Sequence, residues 1–261
     1  MKIRLIRHAT LLLEYAGKKI LVDPMFADQG AYAGLPTRGN NKSNPLVPLP
    51  FPFEELGRPD LILITHLHFD HLDKKAAARL PRGVPVVCRR GDDGHIRNQM
   101  FETVLPCARK PVTAAGIEFI RTDARHGRGW VGMLMGRPCG FVLRAPGEPV
   151  LYLSGDTVFF SGVTKTLRAY RPDVVVANAG AARFMIGAPV TMDARDVVTL
   201  ALTIPRAGIV AVHMEAVNHC RLTRSALKEK LEQAGLADRV LIPADGETLS
   251  FDAALGAREP H

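Results

Sequence analysis

The sequence predicts an α/β fold on three observations. Short apolar runs bounded by turn residues recur along the whole chain. In the first half they alternate in polarity, as half-buried strands do, whereas Val174-Val175-Val176-Ala177 in the second half is continuously apolar, as a strand covered on both faces would be. Helical periodicity falls between the later runs and completes βα units.

Strands are expected near 3–6, 11–15, 19–22, 61–64, 84–88, 117–122, 140–145, 150–153, 174–177, 209–212, 239–242 and 248–251. Helices are expected near 73–80, 162–170, 191–203 and 223–234. Asp73 is placed to cap the first of these over Lys74 to Leu80, and Thr191 or Asp193 to cap the third. No Gly/Ser-rich linker and no fixed-period repeat divides the 261 residues, so one domain spanning 1–261 is expected.

Two segments stand apart. Residues 26–52 carry Gly30, Gly34, Gly39, Asn40, Asn41, Asn44 and five prolines, with Tyr32, Leu35, Leu46, Val47, Leu49 and Phe51 between them. A loop of this length in a compact domain is usually functional. Because it leaves the end of the strand at Asp23, it is expected to cover the active site and give it an apolar wall. Residues 127–140 hold Gly127, Gly129, Gly132, Gly136 and Gly140 around Trp130. Without a Lys-Ser/Thr pair or a strand-to-helix setting this is no phosphate loop. A hairpin is expected there, packed closely beside His126.

The net charge is +8 and the pI about 9.6. The basic residues are dispersed in pairs such as Lys18-Lys19, Lys74-Lys75 and Arg89-Arg90, which reads as a solvated face and not as a nucleic-acid track. A positive field favours a small, anionic substrate. Cys88, Cys107, Cys139 and Cys220 show no C-x-x-C spacing and read as small packing residues. Met1 to Arg7 carries charges throughout, and no apolar run is long enough to span a membrane, so a cytoplasmic protein is expected.

Function is written most densely at His66-Leu67-His68-Phe69-Asp70-His71, directly after Leu61-Ile62-Leu63-Ile64. Imidazole nitrogens and a carboxylate suit zinc and related divalent metals. His66 and His68 share a face if the chain is extended. Asp70 and His71 follow after the strand and can aim at a neighbouring position, so the spacing indicates two half-sites.

This H-x-H-x-D-H motif resembles the signature of the metallo-β-lactamase superfamily, whose further ligands lie at later strand ends. His126 follows a strand over 117–122, Asp156 ends Leu151-Tyr152-Leu153-Ser154-Gly155-Asp156, and His213 ends Ile209-Val210-Ala211-Val212. Arg7-His8-Ala9-Thr10 and Asp23-Pro24 are similar to the branch containing ascorbate-6-phosphate lactonase and the phospholipase D that cleaves N-acyl phosphatidylethanolamine.

The resemblance implies a four-layer αβ/βα sandwich. It implies one metal on His66, His68 and His126, a second on Asp70, His71 and His213, and Asp156 between them. Asp23 supports the metal loop, His8 contacts the substrate or backs a ligand, and Asp70 also acts in catalysis. The two divalent ions are expected to be Zn, with Mn or Fe as alternatives. The expected activity is hydrolysis of an ester, lactone or phosphodiester in a small substrate by water that the metals activate. The alternatives are an iron-dependent oxygenase of the same fold and a nucleic-acid phosphodiesterase. Glu215, His219 and Cys220 are expected around the ligands or in packing, and His95 and His261 have no partner pattern.

Overall fold

The computed structural model describes residues 1–251. Its first sheet opens with β1 (Lys2–Arg7), β2 (Thr10–Tyr15) and β3 (Lys18–Val22), joined as an antiparallel meander. Tight turns with positive φ at Ala16 and Gly17 connect β2 to β3. Next come β4 (Leu61–Ile64), β5 (Val86–Arg89) and β6 (Val104–Cys107), each parallel to its predecessor. The last strand of the chain, β14 (Thr248–Ser250), returns to pair with β1, giving the order β14-β1-β2-β3-β4-β5-β6.

The second sheet repeats this plan. Strands β7 (Val112–Ala114), β8 (Ile117–Asp123), β9 (Cys139–Arg144) and β10 (Leu151–Leu153) are antiparallel neighbours. Strands β11 (Val174–Asn178), β12 (Gly208–Val212) and β13 (Val240–Leu241) continue in parallel from β10. Both sheets have seven strands.

Apolar side chains from both sheets meet in one buried layer that includes Leu5, Leu13, Leu63, Phe119, Phe141, Leu153 and Val176. Tyr15 crosses that layer, and its hydroxyl donates to the carbonyls of Leu143 (3.2 Å) and Pro149 (2.9 Å). Helices α1 (Lys74–Arg79) and α2 (Asp93–Asn98) cover the outer face of the first sheet, burying Ala76, Ala77 and Ile96 against Ile62, Ile64 and Val86. Helices α4 (Ser161–Tyr170), α5 (Ala194–Thr203) and α6 (Arg224–Gln233) cover the second, through Val163, Leu167, Val197, Leu200, Leu227 and Leu231. The result is the expected four-layer αβ/βα sandwich.

Asp73 caps α1, accepting from the Ala76 amide at 2.6 Å. Asp193 caps α5, which begins at Ala194. Thr191 instead accepts the Ala182 amide. The hairpin expected over 127–140 is not formed: α3 (Gly129–Leu134) occupies it. The close approach is real, since a Cβ on Gly132 would lie 2.4 Å from the Gly127 carbonyl oxygen.

Three further elements were invisible to the pattern. Strand β6 contains Pro106 and tolerates it because β6 is an edge strand. Strand β7 is three residues long, and α2 buries Ile96 alone, so neither shows a period. His261 lies outside the described residues.

Candidate metal centre

The candidate donors all lie at or just beyond strand ends. After β4 the chain turns tightly, with the amides of His71 and Leu72 both donating to the His68 carbonyl (2.9 and 3.0 Å). This places His66, His68, Asp70 and His71 within one loop. His126 follows β8, Asp156 follows β10, and His213 follows β12 directly. The seven residues are brought together across the two sheets. One donor atom each from His66, His68 and His126 falls within 4.8 Å of the others, and so does one each from His8, Asp70, His71 and His213.

Asp156 stands between these groups and divides its oxygens. Oδ2 faces His66 Nε2 (3.8 Å) and His126 Nε2 (3.5 Å). Oδ1 faces His71 Nε2 (3.4 Å) and His213 Nε2 (3.2 Å), and also accepts from Asn178 Nδ2 (2.7 Å) at the end of β11.

The far sides of three rings meet protein groups. His71 Nδ1 pairs with Asp23 Oδ2 at 2.7 Å, and His126 Nδ1 with the Val190 carbonyl at 2.9 Å. His213 Nδ1 lies 3.6 Å from Cys220 Sγ. Asp23 also accepts from the Thr65 amide (2.8 Å) and hydroxyl (2.6 Å), locking the end of β4. Asp23 therefore occupies the supporting place expected of it. A ring whose Nδ1 donates to a carboxylate or carbonyl presents a bare lone pair at Nε2.

That arrangement fits a cation. The Nε2 atoms of His71 and His213 are buried, make no hydrogen bond, and point at carboxylate oxygens. Lone pairs facing an anion inside a protein are costly unless positive charge lies between them. With protons as the only positive charge, burial resists protonation of His71, but Asp156, Asp23 and Asp70 outweigh it and push the imidazole up to about 10. His213 moves the same way against burial, through Asp156 and Cys220. A divalent ion would supply that charge permanently.

His8 is fully buried, and its Nε2 meets Asp70 Oδ2 at 3.1 Å. Burial and the neighbouring His213 lower it to about 3, so it is neutral. His219 is buried close by and is lowered to about 4, chiefly by that burial, yet it joins none of the donor groups among the described residues. Glu215 turns away to bind Arg224 at 2.5 Å. His95 is exposed and bonds to Gln99.

Sequence reasoning missed Asn178 and the Val190 carbonyl. Asn178 carried one usable signal, its place at the carboxyl end of a central parallel strand, where sites of α/β sheets gather. The carbonyl carried none.

The 26–52 segment is anchored at both its base and its middle. Fully buried Arg7 donates to the carbonyls of Met25 (2.9 Å), Ala27 (3.0 Å) and Val47 (2.9 Å). Asn218, beyond His213, exchanges hydrogen bonds with Leu35, Asn40 and Asn44. Tyr32 packs edge-on against Phe69 of the histidine loop, with centroids 5.3 Å apart.

No helix of the described residues is long and apolar enough to cross a membrane.

Residues 18–214 match the beta-lactamase superfamily domain. The chain is similar to the UPF0173 protein YddR of Bacillus subtilis, at 36% identity covering 96% of this chain and 100% of the relative. A UPF0173 metal-dependent hydrolase of Caldivirga maquilingensis is 28% identical over 94% of this chain and 95% of its own length. Among solved structures, an isothiocyanate hydrolase from Delia radicum gut bacteria superposes with a TM-score of 0.89 at 37% identity, covering 97% of this chain and 100% of that one. A possible metal-dependent hydrolase from Veillonella parvula gives 0.91 at 29% identity, covering 96% and 99%. The length of these matches and the histidine–aspartate cluster agree: the chain belongs to the beta-lactamase superfamily, as one of its metal-dependent hydrolases.

Proposed function

We propose that the centre holds two divalent ions and hydrolyses a small substrate at an electrophilic carbon. The ligands would be His66, His68 and His126 for one ion and Asp70, His71 and His213 for the other, with Asp156 shared. The observation that carries this reading is the division of Asp156, whose two oxygens face two separate sets of imidazoles. The donor set accepts zinc, manganese or iron, with zinc the best match to so many imidazoles.

When bound, such a pair supplies Lewis acidity and lowers the pKa of water toward neutrality. The remaining work belongs to side chains. Asp23 and the Val190 carbonyl fix the rings of His71 and His126 so that Nε2 faces inward. Asp70 orients the attacking water and passes its proton to the leaving atom, and His8 holds Asp70 Oδ2 in place while remaining neutral. The 26–52 segment, tied to the histidine loop by Tyr32 and to the His213 loop by Asn218, covers the reaction and excludes solvent.

The 37% identical isothiocyanate hydrolase makes the isothiocyanate carbon the first candidate, with the carbonyl of an ester or lactone next and a phosphodiester third. Water adds to the N=C carbon, and the resulting thiocarbamate splits into amine and carbonyl sulfide. The test is turnover of benzyl isothiocyanate and of chromogenic ester, lactone and phosphodiester substrates by Zn-, Mn- and Fe-loaded protein, with a chelated control. Chelator-sensitive amine release supports the reading. Loss of none of the activity on full metal removal would overturn it.

A further inference from the structure

Arg38, Arg183 and Arg221 converge on one surface cavity of about 310 Å³ whose other walls are Phe184 and Met185. No carboxylate lines it, and none of the three arginines forms an ion pair among the described residues. Arg221 is tied inward, donating to the Thr37 hydroxyl and the Arg38 carbonyl. The guanidinium groups of Arg38 and Arg183 make no hydrogen bond among the described residues. Three like charges gathered in one concavity raise its potential and attract a counter-charge.

One wall of the cavity, Phe184, stacks its ring on His219 with centroids 5.3 Å apart and planes at 29°. His219 is buried and its Nδ1 has no partner among the described residues. The arginines also ride on the segments that hold the donors. The Arg183 amide donates to the His219 carbonyl (2.9 Å). Arg183 sits in a turn closed by Val190 on Ala182 (2.8 Å), and Val190 orients His126. The Arg221 amide donates to Gly180 (2.9 Å), where any Cβ would come within 2.8 Å of His213 Nδ1.

We infer that this cavity binds an anionic group of the substrate, a carboxylate or similar oxyanion, while an apolar portion lies along Phe184 and the reacting carbon reaches the metal centre. The inference rests on the hydrolase reading above and narrows its substrate to small, amphipathic anions. Guanidinium forks match planar oxyanions, and Phe184 supplies the apolar wall. A polynucleotide would need a basic track continuing beyond one small concavity, whereas the basic residues of the chain are dispersed in pairs along the sequence.

The test uses metal-loaded protein, with benzyl isothiocyanate compared against its 4-carboxy derivative. In parallel, 4-methylbenzoate, which has no scissile bond, is titrated by calorimetry into wild type, Arg38→Gln, Arg183→Gln, the double variant and Arg183→Lys. The expected result is a lower KM for the carboxylated substrate at similar kcat. The double variant should bind 4-methylbenzoate about tenfold more weakly, and Arg183→Lys should retain most of the affinity. Equal binding by wild type and double variant, or none by wild type, would overturn the inference, the first outcome placing the carboxylate on the metals. If no substrate of any class turns over, the hydrolase reading fails, and the titration still decides whether the arginines hold an anion.

Discussion

The amide of His213 donates to the carbonyl of His8 at 2.9 Å, and the two imidazoles lie 3.7 Å apart, centroid to centroid. Both residues hold positive φ, 62° and 73°, a conformation that costs about 1–3 kcal/mol at each non-glycine residue and persists where surrounding contacts enforce it. The strain aims His8 at Asp70 and His213 at Asp156.

His8→Ala removes the bond to Asp70 and leaves the donor atoms of Asp70, His71 and His213 in place. Metal affinity should fall by about 10- to 100-fold, the usual loss for a residue that orients a ligand. Chelator competition measures this, and unchanged affinity would show that Asp70 needs no such support.

Asp23→Ala should act on both stability and metal binding. It strands the buried amide of Thr65, leaves the Thr65 hydroxyl only its contacts with His66 and His71, and takes the carboxylate from His71 Nδ1. The cost should be about 1–3 kcal/mol of unfolding free energy for each unsatisfied group. Denaturant titration with and without zinc separates this cost from the loss of metal.

Asp156→Ala and His68→Ala should abolish metal-dependent turnover while the chain stays folded, because the core between the sheets does not include either side chain. Circular dichroism and metal content check this prediction. Full activity in the double variant would remove Asp156 and His68 from the centre.

Gly155→Ala should do more damage than its size suggests. Gly155 has φ +59°, and a Cβ there would lie 2.3 Å from the Cys139 carbonyl oxygen, so β9 or the backbone carrying Asp156 must shift. Thermal unfolding and bound zinc should both fall, the second through misplaced Asp156.

Tyr15→Phe supplies a contrast remote from the centre. It leaves the Leu143 and Pro149 carbonyls without the hydroxyl that joins the sheets, and should cost about 1–3 kcal/mol. Metal stoichiometry should be unchanged.

What the sequence revealed follows from where information sits in it. His66, His68, Asp70 and His71 crowd into six residues and announce a metal site by themselves, whereas His126, Asp156 and His213, each closing an apolar run, joined them only through the family resemblance. Strand β4, β11 as far as Ala177, and β12 from Ile209 onward were legible because they are continuously apolar and buried. Helix α3 was not, because its glycines resemble turn residues and its six positions are too few for a helical period. The Val190 carbonyl that orients His126 is a main-chain atom any residue could offer, so no side-chain pattern could announce it. Nothing in the pattern marked the Arg7 side chain as buried, yet it is fully buried and holds both flanks of the 26–52 segment.

The donors are divided between the two sheets: four follow β4 in the first, and three follow β8, β10 and β12 in the second. An ion held by His66, His68 and His126 would thus be a rivet through two plates, joining stretches of chain that are otherwise remote in sequence. Loading it should slow amide hydrogen exchange in both sheets together, at β4 and β8 alike, so that the same few atoms would both serve catalysis and brace the fold.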